Sequence, residues 1–290
     1  MKVHILVSGA TGQLGQSLQE IAPEYPEFEF SFCNREQLDL SSEDSIRSKL
    51  SEGFDYFINA GAYTQVDAAE ENEALAFAIN ADALLAIAKN ASANCRILHI
   101  SSDYVYHIDK TEALNESDPC EPKSVYARSK LEGERNLLKT KPDSLVIRSS
   151  WIYSNYGHNF VKTMLRLADS RDSLNIVSDQ IGTPTYAFDL AKALLDIIKH
   201  LDNLNGPDDL GGVYNYANEN CTNWAEFAEH IFALSNKDCK VMKIPTSEYP
   251  TPAARPLWSC MSKDKIRKAF SVDIPDWHES LKACLDKLEQ

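Results

Sequence analysis

A short apolar run, residues 3–8, passes without a break into Gly9-Ala10-Thr11-Gly12-Gln13-Leu14-Gly15 and then into a helical pattern over residues 13–21. Three glycines, three residues apart, between a strand and a helix leave few folds open. The first permits a tight turn, the second lets backbone approach a phosphate, and the third lets the helix pack close to the sheet. The start of such a helix offers unpaired N–H groups and the positive end of a dipole. The pattern points to a dinucleotide pyrophosphate seated on Gly9, Thr11, Gly12, Gln13, Leu14 and Gly15.

Strand-like runs at residues 28–33, 54–59, 96–101 and 144–149 continue the theme, separated by helical patterns at 42–50, 65–90 and 125–138. Strand–helix alternation builds a parallel sheet covered by helices on both faces, and right-handed crossovers wind it in both directions. The expected class is therefore α/β, a doubly wound parallel (Rossmann) sheet. After residue 150 the pattern changes. Helical stretches at 160–168, 190–200, 224–234, 264–270 and 277–288 mix with short strand-like pieces and proline turns. The reading is a nucleotide-binding domain over 1–150, with a return segment around 175–200. A smaller, interleaved α/β substrate lobe spans most of 151–290. A cleft is expected between them, at the carboxyl ends of the strands.

Composition narrows the partners. The chain has 290 residues, 29 Lys+Arg against 43 Asp+Glu, and a net charge of −14. That balance argues against nucleic acid and anionic membrane, which need broad basic surfaces. No run approaches the ~20 apolar residues of a membrane helix, and the start is no signal peptide, so a cytoplasmic protein is expected. The seven cysteines, at 33, 95, 120, 221, 239, 260 and 284, show no C-x-x-C. They read as reduced thiols, not as a disulfide framework or a zinc site.

Further cofactor contacts follow from the strand ends. After the second strand come Asn34 and Arg35, where an Arg can pair with a 2′-phosphate and so favours NADPH; Glu36 keeps NADH open. Asp39, followed by Leu40, is placed to reach an adenine amine or to cap the next helix. The small residues Ala60, Gly61 and Ala62 follow the third strand and permit close backbone approach. The chemistry lies in Tyr126-Ala127-Arg128-Ser129-Lys130, where positions i and i+4 share a helix face. A nearby ammonium would lower the phenol's pKa, and Tyr126 could then protonate a ketone oxygen as hydride reaches its carbon. Lys130 could also hold the nicotinamide ribose. Ser102, after the fourth strand, can hydrogen-bond the same oxygen, with Ser101 supporting the turn. Asn80 reads either as an anchor for a relay water or as a helix-interior amide bonded to backbone.

These motifs together resemble the extended short-chain dehydrogenase/reductases. They are most similar to the dTDP-4-dehydrorhamnose reductase family among them, through Val66–Glu70 as V-D-x-A-E, Ser102–Tyr106 as S-D-Y-V-Y, Arg148-Ser149-Ser150-Trp151 and Asp179-Gln180-Ile181-Gly182-Thr183-Pro184-Thr185. The resemblance runs nearly end to end. It implies hydride transfer from NADPH (or NADH) to C4 of a dTDP-linked 4-keto-6-deoxy sugar, dTDP-4-dehydro-6-deoxy-L-mannose, giving dTDP-L-rhamnose. It implies Ser102, Tyr126 and Lys130 as the catalytic set, and Thr64, Val66, Ser102, Asp103, Tyr104, Trp151 and Arg255 along the substrate.

One departure concerns metal. Some members hold Mg²⁺ at a dimer contact through glutamates, and the first such position here is Ser17, which lacks the charge a hard cation needs. No metal is expected, and monomer and homodimer both stay open. Three rivals remain. A 4,6-dehydratase would need a glutamate where Tyr104 stands. An epimerase would return hydride to the other face. A regulatory subunit similar to the β subunit of methionine adenosyltransferase would act by association.

Overall fold

The computed structural model describes residues 2–204 and 209–289. Five strands, β1 (Val3–Ser8), β2 (Phe28–Cys33), β3 (Tyr56–Asn59), β4 (Arg96–Ser102) and β5 (Leu145–Ser149), join a sixth, Gly212–Asn215, in one parallel sheet. The spatial order from one edge is β2, β1, β3, β4, β5 and then Gly212–Asn215. Strand order reverses between β1 and β3, which makes that junction the switch point where doubly wound sheets bind ligands.

Burial on both faces explains the near-continuous apolar strands. Ile5, Val7, Ile58, Leu98 and Ile147 face one helical layer, built from Gln13–Ile21 and Ala187–Asp202. Leu6, Phe57, Ile97 and Val146 face the other, where Ile46, Leu50, Leu84, Ile87 and Leu137 come from helices on that side. In Ala187–Asp202 the buried positions Leu190, Ala191, Leu194, Ile197, Ile198 and Leu201 fall at helical spacing. A third cluster lies outside the sheet, where Tyr153, Val161, Leu174, Tyr186, Phe227, Ile231, Trp277 and Leu281 pack together. Small two-stranded pairings frame it: Ile152–Tyr153 with Thr185–Tyr186, Ser173–Val177 with Lys240–Ile244, and Ile181–Gly182 with Thr222–Asn223.

Two local expectations change. The pattern over 65–90 is not one helix. It divides into Val66–Ala69, Glu73–Phe77, a π-type turn at Ala78–Asp82, and Ala83–Asn90. The widened turn lets the Asn80 carbonyl lie against Gly133 of the Val125–Thr140 helix, where a side-chain Cβ would stand only 2.0 Å from that oxygen. The cysteines also differ: Cys221 and Cys260 are joined as a disulfide, while Cys33, Cys95, Cys120, Cys239 and Cys284 are free. Their meeting is tertiary. Thr222–Asn223 pairs with Ile181–Gly182, and Ser259 N–H bonds the Ile181 carbonyl, which brings positions 221 and 260 to the same short strand. Among the described residues, no helix is long and apolar enough to cross a membrane.

Candidate active site

The glycine turn caps the carboxyl end of β1. Gly9 adopts φ +69°, a conformation that disfavours side chains, and a Cβ there would sit 2.8 Å from Gly61 N. A Cβ on Gly15 would reach 2.2 Å from the Gly9 carbonyl, so the turn and the helix can touch only with glycine present. Helix Gln13–Ile21 starts at Gly12 with no side-chain cap and no acid in its first turn. Its first N–H groups and dipole are thus open to an anion. The turn suits a pyrophosphate.

Of the residues around it, Leu14 is buried in the core, and the Gln13 side chain turns away to the Ile152 carbonyl (3.2 Å), Ser154 (3.1 Å) and Asn159 (2.9 Å). Only their backbone faces a ligand role. A cavity of about 330 Å³ opens beside the turn, lined by Ala10, Thr11, Gln16, Gln19, Phe32, Asn34 and Gln37. Its size and its place at the end of β2 suit the adenosine end of a dinucleotide. Asn34 is fixed there by a reciprocal pair of bonds with Gln37, at 2.9 and 3.0 Å. Arg35 is largely exposed, its guanidinium 3.9 Å from Asp39. Asp39 accepts from Ser41 N–H (2.9 Å) and hydroxyl (2.7 Å), bonds that hold its carboxyl below the usual range, while Ser42 is the helix cap. On the far side of the turn, Leu40 packs on Gly61 and the Gly61 N–H donates to Ser8 Oγ at 3.2 Å.

The reactive groups gather at the end of β4. Ser102 Oγ accepts from Tyr104 N–H (3.2 Å) and donates to Asp103 Oδ1 (3.1 Å). The Tyr126 phenol lies within hydrogen-bonding reach of Ser102, and its ring meets Tyr104 edge-on at 5.9 Å. Tyr126 sits in the first turn of Val125–Thr140, whose cap Ser124 accepts from Ala127 N–H and whose Val125 N–H donates to Glu70 Oε1 at 2.9 Å. Asp103 is fully buried, with Oδ2 unpaired, and burial pushes its carboxyl up to about 7 despite bonds to Ser259 and Ser102.

The expected depression of the phenol does not occur. Burial pushes Tyr126 up to about 12, against the smaller effect of its bond to Ser102. The reason is where Lys130 points. Its side-chain nitrogen donates to the Ile100 carbonyl (2.7 Å) and lies 3.1 Å from His99 Nε2, and burial lowers its pKa to about 8, with Glu134 opposing. Asn80 is held by packing: its amide bonds Tyr63 N–H (2.9 Å), the Tyr63 carbonyl (3.1 Å) and Ser129 (3.0 Å).

Beyond the end of β5, Trp151 takes a left-handed φ of +47° and stacks on Trp224 with ring centres 3.6 Å apart. Arg255 forks onto Asp67, with Nη2 to Oδ2 at 2.6 Å and Nη1 to Oδ1 at 3.0 Å, and Ala253 N–H joins the same carboxylate at 3.1 Å. Thr64 stays exposed and Val66 half-buried at the start of the short helix Val66–Ala69. The V-D-x-A-E run thereby has a physical meaning: Asp67 holds Arg255, and Glu70 caps the helix that carries Tyr126. Sequence reasoning missed Ser259, Trp224 and the partner of Asp67, all distant in the chain from what they touch. Ser17 is buried and donates to the Gln13 carbonyl at 3.0 Å. Among the described residues no three His, Cys, Asp or Glu side chains are grouped to hold a metal ion.

A dTDP-4-dehydrorhamnose reductase of Aggregatibacter actinomycetemcomitans is 40% identical over 287 residues, covering 96% of this chain and 97% of its own. A solved structure described as a dTDP-4-dehydrorhamnose reductase from Clostridium acetobutylicum superposes with TM-score 0.92 at 33% identity, covering 99% and 100% of the two chains. Another, of the Bacillus anthracis dTDP-4-dehydrorhamnose reductase in complex with NADP, gives 0.91 at 33% identity with the same coverage. The family described as the RmlD substrate binding domain matches residues 1–290 from end to end, and the chain belongs to that family.

Proposed function

We propose that this chain is an NADPH-dependent reductase, with NADH as an alternative donor, acting on the C4 ketone of dTDP-4-dehydro-6-deoxy-L-mannose to give dTDP-L-rhamnose. The observation that carries the reading is the meeting of the Ser102 hydroxyl and the Tyr126 phenol at the end of β4, in a chain that matches reductases over its whole length.

The glycine turn and the open start of Gln13–Ile21 hold the cofactor phosphates. The cavity at the end of β2 takes the adenosine, with Asn34 and Arg35 at its edge, Arg35 being free enough to meet a 2′-phosphate. Asp39 and Leu40 lie further along that edge, and Ala60, Gly61 and Ala62 flank the turn. The bound cofactor supplies hydride to the ketone carbon. Everything else falls to side chains. Ser102 donates to the ketone oxygen once substrate displaces its bond to Asp103. Tyr126, protonated across the working pH range because burial holds it near 12, gives its proton to that oxygen as negative charge develops. Lys130, still mostly charged below about 8, holds the ribose. Thr64, Val66, Asp103, Tyr104 and Trp151 line the sugar and base, and Arg255 faces the diphosphate.

Two expectations test the substrate side. Asp67→Asn loosens the fork that aims Arg255. A half-exposed charge pair is worth about 1 kcal/mol or less, so the Michaelis constant for the sugar nucleotide should rise ~3–6-fold while NADPH affinity holds. Trp151→Ala removes a stacked face and should raise the same constant about 10-fold or more; an unaltered constant removes Trp151 from the site. The activity itself is tested by spectrophotometric oxidation of NADPH over dTDP-, UDP- and GDP-linked 4-keto sugars. Turnover with the dTDP substrate is expected. Binding to a partner protein without any oxidation would instead support an association role.

A further inference from the structure

A buried line of polar side chains runs behind the reactive groups and ends on Lys130. It starts at the cofactor turn, where the Gly61 N–H donates to Ser8 Oγ at 3.2 Å. The Ser8 hydroxyl then donates to Asn59 Oδ1 at 2.6 Å. The Asn59 amide nitrogen lies 3.1 Å from His99 Nδ1, and His99 Nε2 lies 3.1 Å from the Lys130 nitrogen. Ser8, Asn59, His99 and Lys130 are all buried. An amide nitrogen only donates, so His99 Nδ1 accepts and the ring's proton sits on Nε2. Nε2–H can then only donate, and the partner it can bond across that gap is the lone pair of an uncharged amine. The whole line has one direction, from Gly61 to Lys130.

We propose that His99 is a positioning residue for Lys130, holding its amine at the end of a one-way hydrogen-bond line that begins at the cofactor turn and so favouring the uncharged amine. The proposal rests on the reading of Lys130 as the ribose-holding lysine. To bind charged Lys130, His99 would have to accept, which requires the Asn59 amide to turn over and Ser8 to lose its acceptor. The arrangement therefore works in the same direction as burial, which lowers Lys130 to about 8. His99 itself stays neutral, because burial and the adjacent Lys130 both lower its pKa. The charged groups near Lys130 are few. Glu134, one turn further along the same helix, opposes the lowering, and it is itself paired with Arg148 of β5. From β3 and β4 the line presents only the neutral Asn59 and His99.

The test uses NADPH affinity, read by fluorescence from pH 6 to pH 10, so that it needs no turnover. In the parent protein, affinity should fall as pH rises through about 8, when Lys130 loses its charge. His99→Leu removes the donor to the neutral amine, and this limb should move up by at least half a pH unit. His99→Gln can accept from Asn59 and donate to Lys130, so it should restore the parent midpoint. A midpoint that stays put or moves down in His99→Leu, in protein whose thermal melting shows it folded, overturns the proposal. If His99→Leu does not fold, the His99→Gln midpoint decides alone: agreement with the parent within ~0.2 supports the line, and a displaced midpoint contradicts it. Loss of the pH limb in the parent would instead contradict the role given to Lys130, and the two failures are thus distinguishable.

Discussion

Tyr126→Phe should reduce kcat with the dTDP-linked ketone by roughly 10²–10⁴, the usual contribution of a positioned acid, while the NADPH dissociation constant stays within about twofold. The substitution removes one oxygen and leaves the ring against Tyr104, an edge contact that does not depend on the hydroxyl. Ser102 keeps its bonds to Asp103 and Tyr104 N–H, so the loop geometry has no reason to change. What disappears is the proton. Residual turnover would come from Ser102 and from cofactor placement alone. Steady-state kinetics beside fluorescence titration reads both quantities in one preparation, and an unchanged kcat removes Tyr126 from the chemistry.

Arg148→Met should be the most destabilising of the single changes considered. Arg148 and Glu134 are almost wholly buried and joined two-fold, Nε to Oε1 at 3.0 Å and Nη2 to Oε2 at 2.6 Å. Ser101 adds its hydroxyl to the same carboxylate, and the guanidinium lies 4.7 Å over the Tyr106 ring. Burial penalises the Arg148 cation, but the Glu134 bond and charge outweigh it and hold the guanidinium firmly protonated. Removing the cation alone strands a buried carboxylate, at a cost of about 3–5 kcal/mol. Arg148→Met with Glu134→Leu should recover most of that loss, because replacing both partners leaves no unpaired charge. Chemical denaturation of the three proteins checks the order. A single variant as stable as the parent would mean the pair contributes nothing. Since Glu134 also opposes the lowering of Lys130, the double variant should bind NADPH less well above neutral pH even when stably folded.

Much of this could be read from the chain. Runs such as Val3–Ser8 and Leu145–Ser149 carry consecutive apolar residues, Ile5-Leu6-Val7 and Leu145-Val146-Ile147, because helices cover both faces of the sheet, and that made them visible as strands. Gly9 and Gly15 were legible for the same kind of reason, since the contacts there leave no room for a Cβ. The break-up of residues 65–90 was not. Helical spacing persists across it, and the π-type turn at Ala78–Asp82 lies against Gly133, more than forty residues later. The direction of the Tyr126 pKa was also hidden. Spacing puts Tyr126 and Lys130 on one helix face but is silent on His99 and Ile100, the β4 groups that draw the amine aside. Asp67 with Arg255, and Asp103 with Ser259, likewise join residues more than 150 positions apart, and no local pattern encodes such pairs. The disulfide between Cys221 and Cys260 belongs with them, since both segments, 222–223 and 258–259, pair with the short strand at Ile181 and no cysteine spacing encodes that.

The central claim is that hydride passes from the nicotinamide to C4 of the sugar while Tyr126 protonates the oxygen. Mass and NMR analysis of the product made with NADPH carrying deuterium at both C4 positions of the nicotinamide reads this directly. The account predicts one deuterium per product, on the sugar C4, with oxidised cofactor and product formed in equal amounts. Product carrying no deuterium there, or sugar changed without net oxidation of NADPH, would contradict it.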